Sequence, residues 1–290
     1  MIQVTLRFRD GIGATRPWLR PLVEQVQRAL VLAGHPLVAD GQFGNGTLNA
    51  LKSFQRAANL PETGIMLASS WDALKPQFQI LQRPVLAQIE KMMPTFHGDL
   101  DWVHAQEGHR GNPYWPGGQS GVTLDPGVDL GHANNALVES LFRPRLGDQQ
   151  WEILMPVLGL KGESARDALS SSAFIKKIKI DRTMAHDVMA HVASTYWHKI
   201  SDRFPVIKEA STPASVQTVL LSLAYNRGPH NHYLDSLKEP LADHDWLLAA
   251  WKVGRMQQRH KLKGIRLRRR MEGRLIRTEL EELDLESSSD

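Results

Sequence analysis

Residues 102–132 hold the side chains that could share proton chemistry: Glu107 followed by Gly108, a Gly/Pro-rich loop, then the run Ser120-Gly121-Val122-Thr123-Leu124-Asp125-Pro126-Gly127-Val128-Asp129-Leu130-Gly131-His132. An acid, a hydroxyl and a second acid within one local unit can protonate a leaving oxygen and steady water or positive charge opposite it. Leu100, Val103 and Glu107 fall at helical i, i+3, i+7 spacing. The carboxyl group therefore belongs on a helix's apolar stripe, near the negative end of its dipole. Burial and a helix C-terminus both favour a carboxylic acid in its neutral form, the form that acts as a general acid.

The elements that must position these groups can be read around them. Val122, Leu124, Val128 and Leu130 alternate with Thr123, Asp125, Gly127 and Asp129, and Asp-Pro-Gly interrupts the pattern as a turn signal. This predicts a hairpin with one apolar face and one polar face. A helix ending in a buried acid, followed by a hairpin presenting a second carboxylate, can hold a sugar between two carboxyl groups. Asp125 precedes Pro126-Gly127 and suits hydrogen bonding to the turn backbone, whereas Asp129 lies beyond the turn on the face that carries Thr123. His132 reads as a structural polar group.

At these residues the chain resembles a known family. Glu107-Gly108 at a helix end, then Ser120-Gly121-Val122-Thr123 and Gly127-Val128-Asp129-Leu130-Gly131, resembles the pesticin-type branch of phage-type lysozymes. The resemblance implies muramidase activity with catalytic roles for Glu107, Thr123 and Asp129, and no cofactor or metal. The family usually continues the threonine with Ile-Gly. This chain has Leu124-Asp125, which puts a second carboxylate beside the site and keeps Asp125 as the alternative to Asp129. Ala224-Tyr225-Asn226-Arg227-Gly228 and Gly264-Ile265-Arg266-Leu267-Arg268-Arg269-Arg270-Met271-Glu272-Gly273 look like the family's two later signatures. Tyr225, Asn226 and Arg227, at a helix end, are candidate substrate-binding residues because Asn and Arg offer donors to sugar hydroxyls or a peptide carboxylate. Helix termination and packing are the alternative reading for all three.

Residues 17–79 read as a compact helical unit. A first helix carries Leu22, Val26, Ala29 and Leu30 on one face, and a second, capped by Thr47, carries Leu48, Leu51, Phe54 and Gln55. With Asp40-Gly41-Gln42-Phe43-Gly44, Leu60, Gly64-Ile65 and Trp71-Asp72-Ala73-Leu74, the unit resembles the small peptidoglycan-binding domain found beside wall hydrolases. Phe43, Phe54 and Trp71 read as core aromatics. Residues 76–84, with Pro at both ends, form the expected boundary. The implied fold is α+β and mostly helical: a three-helix peptidoglycan-binding domain at 17–79, then a lysozyme-like domain at 84–290 with a small β-hairpin lobe and a helical lobe. A short boundary suggests domains that pack rather than swing, and the tether reading expects residues 84–290 to cleave alone while binding sacculi more weakly.

Composition narrows the alternatives. With no cysteine there is no disulfide or thiolate nucleophile, and no HExxH or Walker-type motif supports a zinc peptidase or phosphate chemistry. No secretory h-region and no apolar run long enough to span a membrane appear, so synthesis in the cytoplasm is expected, with action in the periplasm or wall after holin release or injection. Residues 255–277 hold ten Lys/Arg against one acid, and residues 279–290 hold six acids and no base. The basic run reads as a solvated helix face, with Leu267, Met271 and Leu275 packing and the arginines projecting away. A nucleic-acid-binding protein is the rival that this run raises, though nucleic acid is not the expected partner. The acidic, Ser-rich end reads as disordered. The expected partner is peptidoglycan, with an immunity protein if the chain is an injected toxin, and the expected state is a monomer. A non-catalytic peptidoglycan-binding protein and a lytic transglycosylase are the functional alternatives.

Overall fold

The computed structural model describes residues 1–287, with 288–290 outside the described residues. Before the hairpin come α1 (Arg20–Leu32), α2 (Asn45–Ala57), α3 (Ala68–Met92) and α4 (Leu100–Gln106). Strands β1 (Thr123–Leu124) and β2 (Val128–Asp129) form the one sheet among the described residues. Then follow α5 (Asn135–Leu146), α6 (Asp148–Leu154), α7 (Gly162–Ser171) and α8 (Arg182–Arg203). The chain continues with α9 (Ala214–Arg227), α10 (Lys238–Ala242), α11 (Trp246–Arg255) and α12 (Lys263–Ser287). This is the mostly helical α+β fold expected from the sequence, and none of its described helices is long and apolar enough to cross a membrane. Packing divides the chain into two compact units: Met1–Gln106 together with the chain from Ala193 onward, and Glu107–Val192.

In the first unit, α1 buries Leu22, Val26, Ala29 and Leu30 completely, as its periodicity predicts. Two buried glutamines then clamp two loops. Gln27 donates to Asp40 Oδ1 (3.0 Å) and Thr47 Oγ1 (2.9 Å) and accepts from Gly41 N (2.8 Å). Gln55 donates to Ile65 O (2.9 Å) and accepts from Gly64 N (2.9 Å). Both glycines have positive φ, 72° and 67°, which a side chain would strain. Thr47 is therefore not the N-cap of α2; the helix already starts at Asn45, and the hydroxyl serves the Gln27 clamp. Phe43, Phe54 and Trp71 are core residues.

Residues 76–84 are helical, part of α3, although proline removes an intrahelical donor. Trp71, Leu74 and Phe78 are all buried along this helix, and the Trp71 and Phe78 rings stack at 5.3 Å, so packing outweighs the cost at Pro76.

The N-terminal segment is bound into the same unit at many points. The Met1 amino group donates to His97 O (3.0 Å), Thr5 Oγ1 to Glu282 Oε2 (2.8 Å), and Trp18 Nε1 to Thr278 Oγ1 (3.1 Å). Trp102 Nε1, on α4, donates to Trp18 O (2.9 Å). Buried Asp99 caps α4 by accepting from Trp102 N (2.7 Å) and takes the Gln25 amide on both carboxylate oxygens (3.1 Å each). Burial, and secondarily the Asp101 charge, push Asp99 up to about 6.

The last helix departs from expectation. The basic run is a solvated face only in part: Arg270, Arg274 and Arg277 are exposed and Leu275 is buried as expected, but Arg268 and Arg269 are buried, while Leu267 is 48% exposed. Buried Glu272 pairs with Arg268 Nε (3.2 Å) and Arg269 Nε (2.9 Å) and accepts from Ser222 Oγ of α9 (2.7 Å). Like-charged neighbours can share a helix interior when one carboxylate lies between them. The acidic end is helical through Ser287, where an irregular segment was expected, and its last three residues, 288–290, lie outside the described residues. Its Glu279 accepts from Ser215 N (2.8 Å) in the first turn of α9, so a carboxylate from α12 caps that helix.

The second unit is built on the hairpin. Val122, Leu124, Val128 and Leu130 all enter one core with Val138, Phe142 and Trp151. The period-two pattern thus fixes which hairpin face is buried and leaves the other for polar groups.

Because residues 1–83 supply Met1 to His97, Gln25 to the Asp99 cap of α4, Trp18 to α4 and α12, and Thr5 to α12, a fragment of residues 84–290 is expected to lose cooperative thermal unfolding, and a fragment that melts like the full chain would contradict this packing. Asp99, raised in the folded state, favours folding in its neutral form, so its contribution is present below about pH 4 and lost as pH rises through about 6. Asp99→Asn can still accept from Trp102 N and can donate to Gln25 Oε1, so its melting temperature is expected to vary less than wild type between those pH values.

Candidate active site

Glu107 stands one residue past the last helical residue of α4, half-buried, rather than inside the helix. Gly108 follows with φ 71°, turning the chain out of the helix and into the loop that leads to the hairpin.

Across the hairpin, Thr123 pairs with Asp129 and Leu124 with Val128. Thr123 does not exchange backbone bonds with Asp129. Its N–H donates to Tyr114 O (2.7 Å) and its carbonyl accepts from Tyr114 N (3.0 Å). Thr123 and Asp129 are therefore a non-hydrogen-bonded pair, the kind whose side chains come closest in an antiparallel ladder. Thr123 is almost fully buried and Asp129 half-buried.

Asp129 is held by one oxygen. Its Oδ1 accepts from Gly121 N and Gly131 N, both at 2.9 Å, and among the described residues nothing donates to Oδ2. Two amide donors fix the carboxylate, while the second oxygen stays open to water or substrate. The glycines are required by space. A Cβ on Gly121 would stand 2.2 Å from Gly131 N and 2.6 Å from Asp129 Oδ1, and one on Gly131 would stand 2.4 Å from Leu160 O. Gly159 N donates to Leu130 O (2.9 Å) and His132 Nε2 to Gln119 O (3.0 Å), bracing both sides of the carboxylate.

Asp125 does something else. It is nearly buried, and its Oδ2 accepts from Arg110 N and Gly111 N, both at 2.7 Å, with His109 Nδ1 3.1 Å away. It thus fastens the loop that leaves Glu107 onto the hairpin, a nonlocal role where the sequence suggested a local turn bond. The Asp125-Pro126 peptide is cis.

Tyr114 was not singled out by sequence reasoning; its signal is an aromatic residue in the Gly/Pro-rich loop between the acid and the hairpin. Arg110 stacks over its ring at 4.1 Å. Burial and the Asp125 carboxylate raise the phenol above its ordinary range against the pull of Arg110, with Glu107 and Asp129 adding to the rise. One aromatic side chain therefore lies within the field of all three carboxylates.

Tyr225, Asn226 and Arg227 end α9 and belong to the other unit. The Tyr225 ring lies 4.8 Å from that of Tyr196, Asn226 Oδ1 accepts from Arg269 Nη2 (3.3 Å), and Arg227 Nη2 lies 2.9 Å from His260 Nε2. Each has a packing partner within its own unit. Among the described residues no cluster of three His, Asp or Glu side chains is arranged to hold a metal ion.

The glycine cradle and the Asp125 bonds lead to opposite expectations. Gly121→Ala should fold yet displace Asp129, whereas Asp125→Asn should mainly lower the melting temperature, since the loss of charge-assisted bonds to two amides costs about 1.5–3 kcal/mol. Thermal melts of the two variants, with crystallographic placement of residue 129, check this.

Comparison with known proteins matches two family models to the chain. Residues 20–74 match one described as "Putative peptidoglycan binding domain". Residues 98–247 match one described as "Bacterial toxin homologue of phage lysozyme, C-term", the pesticin family. A search of curated proteins finds no match. The second family model spans Glu107, the hairpin and the end of α9, and covers more than half of the chain, which therefore belongs to the pesticin family of lysozyme-like proteins and joins that domain to a peptidoglycan-binding segment.

Proposed function

We propose that the protein is a muramidase that hydrolyses the β-1,4 bond between N-acetylmuramic acid and N-acetylglucosamine in peptidoglycan. The observation that carries the reading is the Asp129 carboxylate, fixed through Oδ1 by two glycine amides, open at Oδ2 and paired across the hairpin with Thr123, in the unit that begins at Glu107. Glu107 protonates the glycosidic oxygen as the leaving sugar departs. Asp129 takes a proton from the attacking water through its open oxygen, and the Thr123 hydroxyl orients that water. With Oδ1 held, the carboxylate cannot rotate away, and this is the orientation that makes a general base effective.

The peptidoglycan-binding segment keeps the enzyme on its polymer by raising the local concentration of the reactive unit. The family's kinship with both toxins and phage lysozyme supports a role as an endolysin or an injected antibacterial effector, acting on the wall from the periplasmic side. Asp125 serves the fold in this account, so the two aspartates separate in experiment.

Glu107→Gln is expected to stay folded and lose muropeptide release by about 10²–10⁴-fold, the range for a general acid. Asp129→Asn should lose most activity with little change in melting temperature. A folded Glu107→Gln of wild-type rate, or full activity in Asp129→Asn with none in a folded Asp125→Asn, overturns the assignment. Attack of water on the far face of the sugar requires the two carboxyl groups about 6.5–9.5 Å apart and gives a product of inverted configuration, readable by NMR of fresh product.

A further inference from the structure

The loop between Glu107 and the hairpin is pinned on two sides. Asp125 holds the backbone of Arg110 and Gly111, while Gly111 O accepts from Ile180 N (2.9 Å). Asn112 Nδ2 donates to Lys176 O and Ile178 O, both at 2.9 Å, and Lys179 Nζ donates to Asn112 Oδ1 (3.2 Å). This brings a second basic segment, Ile175-Lys176-Lys177-Ile178-Lys179-Ile180, against the loop. Its isoleucines are buried, so its lysines face outward. Arg110, Lys176 and Lys179 are all exposed, and among the described residues none of them pairs with a carboxylate. Arg110 instead rests on the Tyr114 ring, in a preorganised position whose polar edge is open.

The same tyrosine lies in the field of three carboxylates, which would repel a negatively charged substrate. The cations on this loop and its neighbour do not cancel them by ion pairing, so the cations remain available to a ligand. Glycan stripped of its peptides keeps one lactyl carboxylate on each N-acetylmuramic acid, held close to the sugar ring, so it offers these cations fewer and shorter-reaching charges than peptide-bearing glycan does. The peptides attached to peptidoglycan glycan end in carboxylates, and planar carboxylate recognition is what a fixed guanidinium does best.

We propose that Arg110 and Lys179, flanked by Lys176, form a rim that binds the carboxylates of the peptide carried by the glycan. The rim thereby makes the protein selective for peptide-bearing strands. The inference rests on the muramidase reading for the identity of the glycan, but its own readout is binding.

The test titrates the full chain, wild type and Arg110→Gln/Lys179→Gln, with three probes: soluble peptide-bearing glycan strands, the same strands after enzymatic removal of the peptides, and a duplex oligonucleotide. Wild type should prefer peptide-bearing strands, and the preference should fall by on the order of tenfold in the double variant and weaken with salt. Arg110→Gln alone, which keeps the lysine bond to Asn112, should show part of the same fall. Equal wild-type affinity for the two glycans, an unchanged preference in the double variant, or duplex binding as tight as peptide-bearing glycan overturns the rim. Selective binding without turnover would instead sink the muramidase reading and leave the rim standing.

Discussion

Two glycine amides converge on one oxygen of Asp129, and the local architecture is arranged so that they can. Gly121 and Gly131 approach each other so closely that a methyl group on either would overlap backbone atoms. That approach needs β1 and β2 in the register that pairs Thr123 with Asp129, and the register in turn needs Val122, Leu124, Val128 and Leu130 all buried on one face. A slip of one residue would turn the carboxylate into the core and the valines outward, an outcome that apolar burial opposes. The chemistry of the site thus depends on the hydrophobic pattern of a very short hairpin.

A two-residue ladder is too short to be stable alone, so neighbouring segments must stiffen it. Tyr114 adds a third chain to the pair by bonding both backbone groups of Thr123, and Asp125 ties the loop behind Glu107 to the turn. The acid-bearing end and the hairpin are therefore coupled through Asp125 and Tyr114 within one unit. This gives Asp125 a reason to be a carboxylate that is independent of catalysis.

Much of the site was legible because it is local. Alternation fixed the hairpin faces, and the Gly-Val-Asp-Leu-Gly run carried the family resemblance that the match over residues 98–247 establishes. What the sequence hid is nonlocal. Nothing in the spacing of Asp125 points to the amides of Arg110 and Gly111, and nothing in the loop marks Tyr114 as the partner of Thr123. The run Arg268-Arg269-Arg270 looked like a solvated face because helical periodicity cannot see Ser222 and Glu272 closing around two of its guanidiniums. Pro76 looked like a boundary because local propensity argues for one, while the stacked Trp71 and Phe78 that carry α3 through it are a tertiary effect.

In the proposed function Glu107 and Asp129 together hydrolyse the muramyl bond with water as the nucleophile. Mass spectrometry of purified peptidoglycan digested by the full chain tests it most directly. The expected products are disaccharide-peptides that end in reducing N-acetylmuramic acid and carry one added water per cleavage. Products that end in anhydro-N-acetylmuramic acid, reducing N-acetylglucosamine ends, or intact strands after prolonged incubation with folded protein would contradict it.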